Sequence, residues 1–255
     1  MSNQAEARTI VKGFESEDPK KRINADKICD IHNEQYREIS FDKYVCLSCA
    51  SAEEDKEKLQ RRVSQAVQSL SLPTKLERYS FENYKATGKS TVVLDKCKKY
   101  VQSWPDVGGI IMLGGVGTGK THLAVSICKD LCAKGVVSHF TTANKIIRSV
   151  RSSWGNNKPI DGWGEVLTEE KIINRFVGYD LLVIDEIGTQ YGSESERIII
   201  NEIINDRYEM DRQTVLIGNV SFAEAEKILG SRVIDRVKDN GEILFFEWDS
   251  FRRSK

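Results

Sequence analysis

Residues Gly114-Gly115-Val116-Gly117-Thr118-Gly119-Lys120-Thr121 place a lysine and a hydroxyl directly behind a run of glycines, in the spacing G-x-x-x-x-G-K-[ST]. Glycines let backbone N–H groups close around phosphate oxygens, and a following helix N-terminus adds partial positive charge. In such a loop Lys120 would reach the β- and γ-phosphates and the Thr121 hydroxyl would sit on Mg²⁺. A second cluster lies about 65 residues further on, where the apolar run Leu181-Leu182-Val183-Ile184 ends in Asp185-Glu186. Asp185 could hold the metal, directly or through water, and Glu186 could polarise an attacking water as a general base. A third apolar run, Val215–Gly218, ends in Asn219. If its strand lies between the other two, Asn219 is placed to orient water or touch the γ-phosphate. These residues predict nucleotide hydrolysis rather than phosphoryl transfer to a small metabolite.

Other groups have more than one reading. Arg232 and Arg236 are four residues apart and share a face of a short helix. They form either a solvated basic face or a finger that reaches nucleotide held by a neighbouring subunit, and the residues alone leave both open. Lys145, Arg148 and Arg151 recur every third residue with Trp154 just beyond. That pattern suits phosphate contact and base stacking, and equally a solvated helix face. The stretch from Asn156 to Glu165, with two glycines, Pro159 and Trp163, reads as a mobile loop. His122 is counted with the residues lining the nucleotide, where its ring is expected to pack or meet solvent rather than act as a base. His139 is expected to be structural.

Cys29-x₂-His32 and Cys46-x₂-Cys49 form two close pairs separated by thirteen residues. Thiolate and imidazole ligands in this arrangement predict a closed tetrahedral Zn²⁺ site, which could supply folding energy to a segment too small for its own core. Cys97, Cys128 and Cys132 have no further ligand close in sequence and read as buried packing.

The elements that must position these groups alternate. Strands are predicted at Gly109–Leu113, Val136–Thr141, Leu181–Asp185, Val215–Gly218 and Ile243–Trp248. Helices are predicted at Val92–Gln102, Thr121–Lys134, Asn144–Ser152, Ser193–Met210, Phe222–Leu229 and Arg232–Val237. Strand–helix alternation of this kind predicts an α/β fold with a five-stranded, parallel, doubly wound sheet. Ahead of it, Met1 to about Lys27 reads as a polar arm or marginal helix, and Glu53–Leu70 as an exposed helix with a narrow apolar stripe. Pro73 ends that helix. The domains expected are therefore 1–70, a zinc-binding and helical region; 71–78, a linker; and 79–255, the α/β domain.

With 255 residues there is room for one medium domain and a small appendage. Acidic and basic residues balance at 38 each, so any nucleic-acid contact must be a local patch. No apolar run approaches the roughly 18 residues of a membrane span. The N-terminus lacks a signal-peptide core and six cysteines accompany it, so a cytoplasmic, reducing location is expected.

Taken together, the phosphate loop, Leu182-Val183-Ile184-Asp185-Glu186-Ile187-Gly188, Arg232-Val233-Ile234-Asp235-Arg236 and the ending Trp248-Asp249-Ser250-Phe251-Arg252 resemble the AAA+ ATPases, and more closely the DnaC-type replicative helicase loaders. The likeness begins near Ser80-Phe81-Glu82-Asn83-Tyr84 and covers roughly two-thirds of the chain. It implies a minimal AAA+ module without a separate helical lid, binding ATP or ADP with Mg²⁺. It implies self-association into a ring or spiral in which Arg236 reaches the next subunit's site. It gives Asn219 the sensor-1 position and Arg252 a sensor-2 position. The family binds a hexameric, DnaB-type replicative helicase and places it on single-stranded DNA under ATP control. In these loaders the DNA-binding insertion follows the second strand, where Lys145, Arg148, Arg151 and Trp154 stand. Familiar DnaC proteins lack the Cys/His pattern, whereas DnaI-type loaders carry a zinc-bearing, helicase-binding N-terminal domain, a role that residues 1–70 would share. The alternatives are an IstB-type transposition ATPase acting on a transposase and double-stranded DNA, a small-molecule kinase, for which no convincing lid is found, and a nucleotide-switched adaptor with little required turnover.

Overall fold

The computed structural model describes residues 23–40, 43–155, 158–162, 164–188 and 194–252. Residues 1–22 of the predicted N-terminal arm, Asn156 and Trp163 of the predicted loop, and Ser193 at the start of a predicted helix lie outside the described residues. The chain divides into two compact units, Met1–Arg62 and Val63–Lys255. The division falls inside a helix, not in the 71–78 stretch expected to link two domains.

In the first unit, β1 (Ile23–Ile28), β2 (Gln35–Ser40) and β3 (Lys43–Val45) form an antiparallel sheet in the order β1-β2-β3. Ile23–Ile28 is thus a strand, although the sequence read as far as Lys27 as an arm or marginal helix. Strands of three to six residues carry too little periodicity to be seen against a polar background. Leu47 then opens α1 (Leu47–Leu70), which starts six residues ahead of the predicted helix.

The second unit is a parallel sheet in the order β5-β6-β7-β4-β8. Its strands are β4 (Ile110–Gly114), β5 (Ser138–Thr142), β6 (Leu181–Ile187), β7 (Gln213–Gly218) and β8 (Glu242–Phe246). Helices α2 (Thr74–Glu77) and α3 (Lys89–Gln102) precede β4, and between the strands run α4 (Lys120–Ala133), α5 (Ala143–Arg151), α6 (Glu169–Val177), α7 (Glu194–Glu209), α8 (Phe222–Leu229) and α9 (Ser231–Lys238). Both faces are covered, so β4 and most of β6 and β7 are continuous apolar runs whose successive residues enter opposite cores. Ile110 and Met112 of β4 pack with α3 and α4 residues such as Val93, Leu94, Leu123 and Ile127. Ile111 and Leu113 face the other way, toward Ile146, Ile173, Ile200 and Ile234. No separate helical lid is present among the described residues, as expected. Nor is any helix among them long and apolar enough to cross a membrane.

Helix α6 was not among the predicted elements. Its signals are present, however. Thr168 caps it by accepting from the Lys171 N–H, and Ile172, Ile173, Phe176 and Val177 form its buried face. The C-terminal end of α6 is held by Arg207, which is fully buried in α7. Its guanidinium donates to the carbonyls of Phe176, Val177 and Tyr179 at 2.7–3.0 Å and to Thr214 Oγ1 at 3.0 Å. These are the orphan carbonyls of a helix end, satisfied without water. Removing the donor strands several buried acceptors at once. Arg207→Met is therefore expected to cost about 3 kcal/mol or more of unfolding free energy, read by urea denaturation. A loss below about 1 kcal/mol would contradict this assignment.

Candidate nucleotide site and metal centre

The strand order fixes the site. β7 lies between β4 and β6, with Leu113 paired to Gly218 and Ile187 paired to Gly218. The C-terminal ends of these three strands therefore bring the glycine loop, Asn219 and the acid pair to one edge, as the sequence reading required. A cleft of 570 Å³ opens there, large enough for a nucleotide-sized ligand. Its walls include Val116–His122, Asp185, Glu186, Asn219 and Arg252, together with Tyr79, Asn83, Tyr84, Lys85 and Phe251.

Within the loop Lys120 Nζ donates to the carbonyls of Gly114 and Gly115 at 2.7 and 2.6 Å. The side chain is buried, and loss of hydration lowers its amine to about 8, while the carboxylate of Asp185 pulls the other way. Gly119, with φ of 96°, permits the left-handed turn into α4. A Cβ at Gly119 would lie 2.7 Å from the Tyr84 ring, so Tyr84 closes the loop from behind. Thr121 Oγ1 donates to Asp185 Oδ2 at 2.8 Å. Two hard oxygens thus meet beside the loop, a donor set that suits Mg²⁺. Burial raises the Asp185 carboxyl, which the Thr121 hydroxyl and the Glu186 N–H partly offset.

Glu186 follows with φ of 62°, a left-handed conformation that costs a non-glycine residue about 1 kcal/mol. The ladder to β7 shifts register between Ile184 and Ile187. The Glu186 N–H closes onto Asp185 Oδ1 at 2.7 Å. The outcome is a division of two adjacent acids: Asp185 is 8% exposed, while Glu186 is solvent-exposed on the same cleft. Asn219 is exposed there too, at the end of β7.

The remaining predicted residues fall in several places. His122 lines the cleft, but its Nε2 is 2.9 Å from the Ser80 carbonyl and its ring stacks on Tyr79 at 4.3 Å. It steadies the 79–84 segment, a packing role. His139 stacks on Tyr179 at 4.5 Å and meets the Ser69 carbonyl, again a structural position. Cys97, Cys128 and Cys132 are buried, as expected.

Arg236 is not in this cleft. It lines a groove with Gly108, Gly109, Tyr208 and Asn240, at the ends of the strands opposite the loop. There its guanidinium lies 5.1 Å from the Tyr208 ring and 3.7 Å from Glu209. Arg232 is exposed on the same helix.

Lys145, Arg148 and Arg151 project from α5 as an exposed row, while Ile146, Ile147 and Val150 bury the opposite face. Arg151 pairs with Glu196 at 2.8 Å, and the Trp154 indole N–H donates to Glu169 at 2.7 Å. Those two side chains are engaged with acids.

In the first unit Cys29, His32, Cys46 and Cys49 converge, their ligand atoms all within 4.8 Å of one another. His32 Nδ1 is 3.8, 3.6 and 3.4 Å from the sulfurs of Cys29, Cys46 and Cys49, and Cys29 and Cys49 sulfurs are 3.6 Å apart. A tetrahedral zinc with bonds of about 2.3 Å to sulfur and 2.0 Å to nitrogen separates its ligands by roughly 3.5–3.8 Å. The donor set and spacing fit zinc, through Nδ1 of His32, and are too long for a disulfide. Backbone N–H groups of His32 and Ile31 lower the Cys29 thiol to about 6, while hydrogen bonding to Cys29 raises Cys49 to about 12.

Sequence reasoning assigned no role to Tyr79, Asn83, Tyr84, Lys85 or Phe251. They reach the cleft through loops whose course no spacing rule specifies, although Asn83, Tyr84 and Phe251 stood in segments that carried the family resemblance.

Comparison with known proteins agrees with this geometry. A profile described as "IstB-like ATP binding protein" matches residues 30–255. The chain belongs to that family. This IstB-like protein is 35% identical over 176 residues to the replicative helicase loader DnaC of Escherichia coli K12, covering 68% of this chain and 69% of that one. It is also 35% identical over 178 residues to the DnaC of Buchnera aphidicola subsp. Baizongia pistaciae, with the same coverage. A crystal structure of the DnaC helicase loader shares the fold at a TM-score of 0.58 and 22% identity, over 68% of this chain and 99% of that one. AMPPCP-bound DnaA from Aquifex aeolicus shares it at 0.58 and 21%, over 71% of this chain and 53% of that one. The fold is therefore of the AAA+ type.

For the metal centre, purified protein should contain about one zinc per chain by elemental analysis. Cys46→Ser is expected to reduce it to near zero and weaken the N-terminal unit by several kcal/mol. Full zinc content in that variant would contradict the four-ligand assignment.

Proposed function

We propose that this IstB-like chain is an ATP-dependent loader that delivers a hexameric, DnaB-type replicative helicase to single-stranded DNA in the cytoplasm. The observation that carries the reading is its 35% identity to proteins named replicative helicase loaders, across 68% of the chain. The site geometry supports the chemistry. The loop N–H groups and Lys120 would hold the triphosphate, and that negative charge would keep Lys120 protonated despite its burial. Thr121 and Asp185 would hold Mg²⁺, which supplies charge neutralisation on the phosphates. Glu186, exposed on the cleft, would take the proton of an attacking water, with Asn219 orienting that water and Arg252 beside the loop acting on the phosphates.

Arg236 lies at the far end of the sheet from its own loop, which favours action on a neighbour's nucleotide in a ring or spiral. Residues 1–70 are assigned the helicase contact and 79–255 the ATPase. Lys145 and Arg148 are the exposed candidates for phosphate contact with DNA, and Arg151 and Trp154 would have to leave their acid partners to join them.

The family match equally covers a transposition ATPase, so the partner decides between the two. A pull-down of the full chain with a replicative helicase, with and without ATP, is expected to recover helicase. Residues 79–255 alone are expected to recover little. Recovery of a transposase instead would overturn the loader reading, and equal recovery by the truncated chain would overturn the role of the N-terminal region. Glu186→Gln is expected to bind ATP while lowering turnover by roughly 10²–10⁴-fold, measured as phosphate release. Full loading by that variant would favour the adaptor reading.

A further inference from the structure

A phosphate-binding loop presents its N–H groups inward, which turns its carbonyls outward and leaves them to be satisfied from behind. In this chain two of those carbonyls, Gly117 and Thr118, are met by the segment that follows β8. The Trp248 indole N–H donates to the Thr118 carbonyl at 3.0 Å, and the Phe251 backbone N–H donates to the Gly117 carbonyl at 3.0 Å. Tyr84 approaches the Thr118 carbonyl from the other side at 3.4 Å. Packing closes the same contact. A Cβ at Gly117 would lie 2.1 Å from Ser250 Oγ, so no side chain at that position could coexist with the strap as it lies.

The strap is itself anchored. β8 pairs in parallel with β4, in register from Ile110 to Gly114. The Phe246 ring, at the end of β8, lies 5.0 Å from the Trp248 ring and 5.9 Å from Lys120 Nζ. Phe246 also backs Gly114, where a Cβ would come within 2.4 Å of its carbonyl oxygen. Indole, aromatic ring and the Phe251 backbone N–H therefore grip the loop, while the Phe251 side chain lines the cleft for nucleotide.

We propose that Trp248 is a positioning residue for nucleotide binding, holding the Thr118 carbonyl outward so that the loop N–H groups stay aimed at the phosphates, with Phe251 N–H doing the same for Gly117. The inference rests on the ATP-binding reading above and deepens it. Phe251 and Arg252 of the strap line the nucleotide cleft, and Trp248 does not. Trp248 acts through the loop, and its loss lets the Thr118 peptide rotate among several orientations. A triphosphate must then select the competent one, which weakens apparent affinity by the fraction lost.

The test is titration calorimetry of the full chain with MgATP, comparing wild type with Trp248→Phe, which keeps an aromatic ring and removes the N–H. Trp248→Leu, which removes the ring and the N–H together, serves as a second variant should the first fold poorly. Each is expected to weaken Kd roughly two- to tenfold. The KM for ATP should rise by a similar factor, with a smaller change in kcat. A merely structural role lowers Tm and leaves the Kd of the folded protein unchanged, and that result in either folded variant would overturn the proposal. Trp248→His, which restores a ring N–H, is expected to recover part of the affinity. Failure of the wild type itself to bind MgATP would overturn the ATP-binding reading and this inference with it, a result distinct from equal affinities.

Discussion

Parallel pairing of β7 between β4 and β6 is the constraint from which the second unit's site follows. Each strand on its own ends in something ordinary: glycines, an amide, two acids. Ladder hydrogen bonds set the spacing between neighbouring strand ends to about 4.8 Å, and that spacing makes a phosphate site of them. The crossovers through α4 to α9 place helices on both faces. The strand ends are thereby left as the accessible rim, at the edge where open α/β sheets bind ligands. Were β7 to pair elsewhere, Thr121 and Asp185 could not meet at 2.8 Å.

The acid pair shows local chemistry overriding strand regularity. A regular strand would send Asp185 and Glu186 to opposite faces of the sheet. The register shift and the left-handed Glu186 backbone instead bring both onto one cleft while giving them different environments. Burial then separates their chemistry: one carboxylate sits against the Thr121 hydroxyl, the other faces solvent. A backbone cost of about 1 kcal/mol is small beside what such a division provides. The N-terminal unit follows a different logic. In it, four side chains converge at distances that suit zinc.

Much of this was legible in the sequence where periodicity and spacing were strong. Buried parallel strands read as continuous apolar runs, so β4, β6 and β7 and their terminal Lys120, Asp185 and Asn219 could be found one by one. The interposed position of β7 was a stated requirement, and the sheet order meets it. The Cys/His spacing likewise anticipated the convergence of Cys29, His32, Cys46 and Cys49. Less was legible where structure depends on partners distant in sequence. Arg207 reads as one more cation on a helix until the carbonyls of α6 surround it. Arg151 and Trp154 read as free for DNA until Glu196 and Glu169 stand beside them. Tyr84 and Trp248, 34 and 130 residues from Thr118, meet its carbonyl by routes that no local pattern encodes.

Arg236 and Lys120 lie at opposite ends of the same strands, with the full height of the sheet between them. No rearrangement within one folded copy can bring both to a single triphosphate. Any chemistry that uses both is a property of a contact between copies, and its bookkeeping is topological. An open chain of n copies has n − 1 such junctions, and a closed ring has n. In an open assembly built on such a contact the end copies would be chemically unlike the rest, one presenting an unmatched Lys120 loop and the other an unmatched Arg236. Polarity of that kind would give the assembly a direction before it meets any partner.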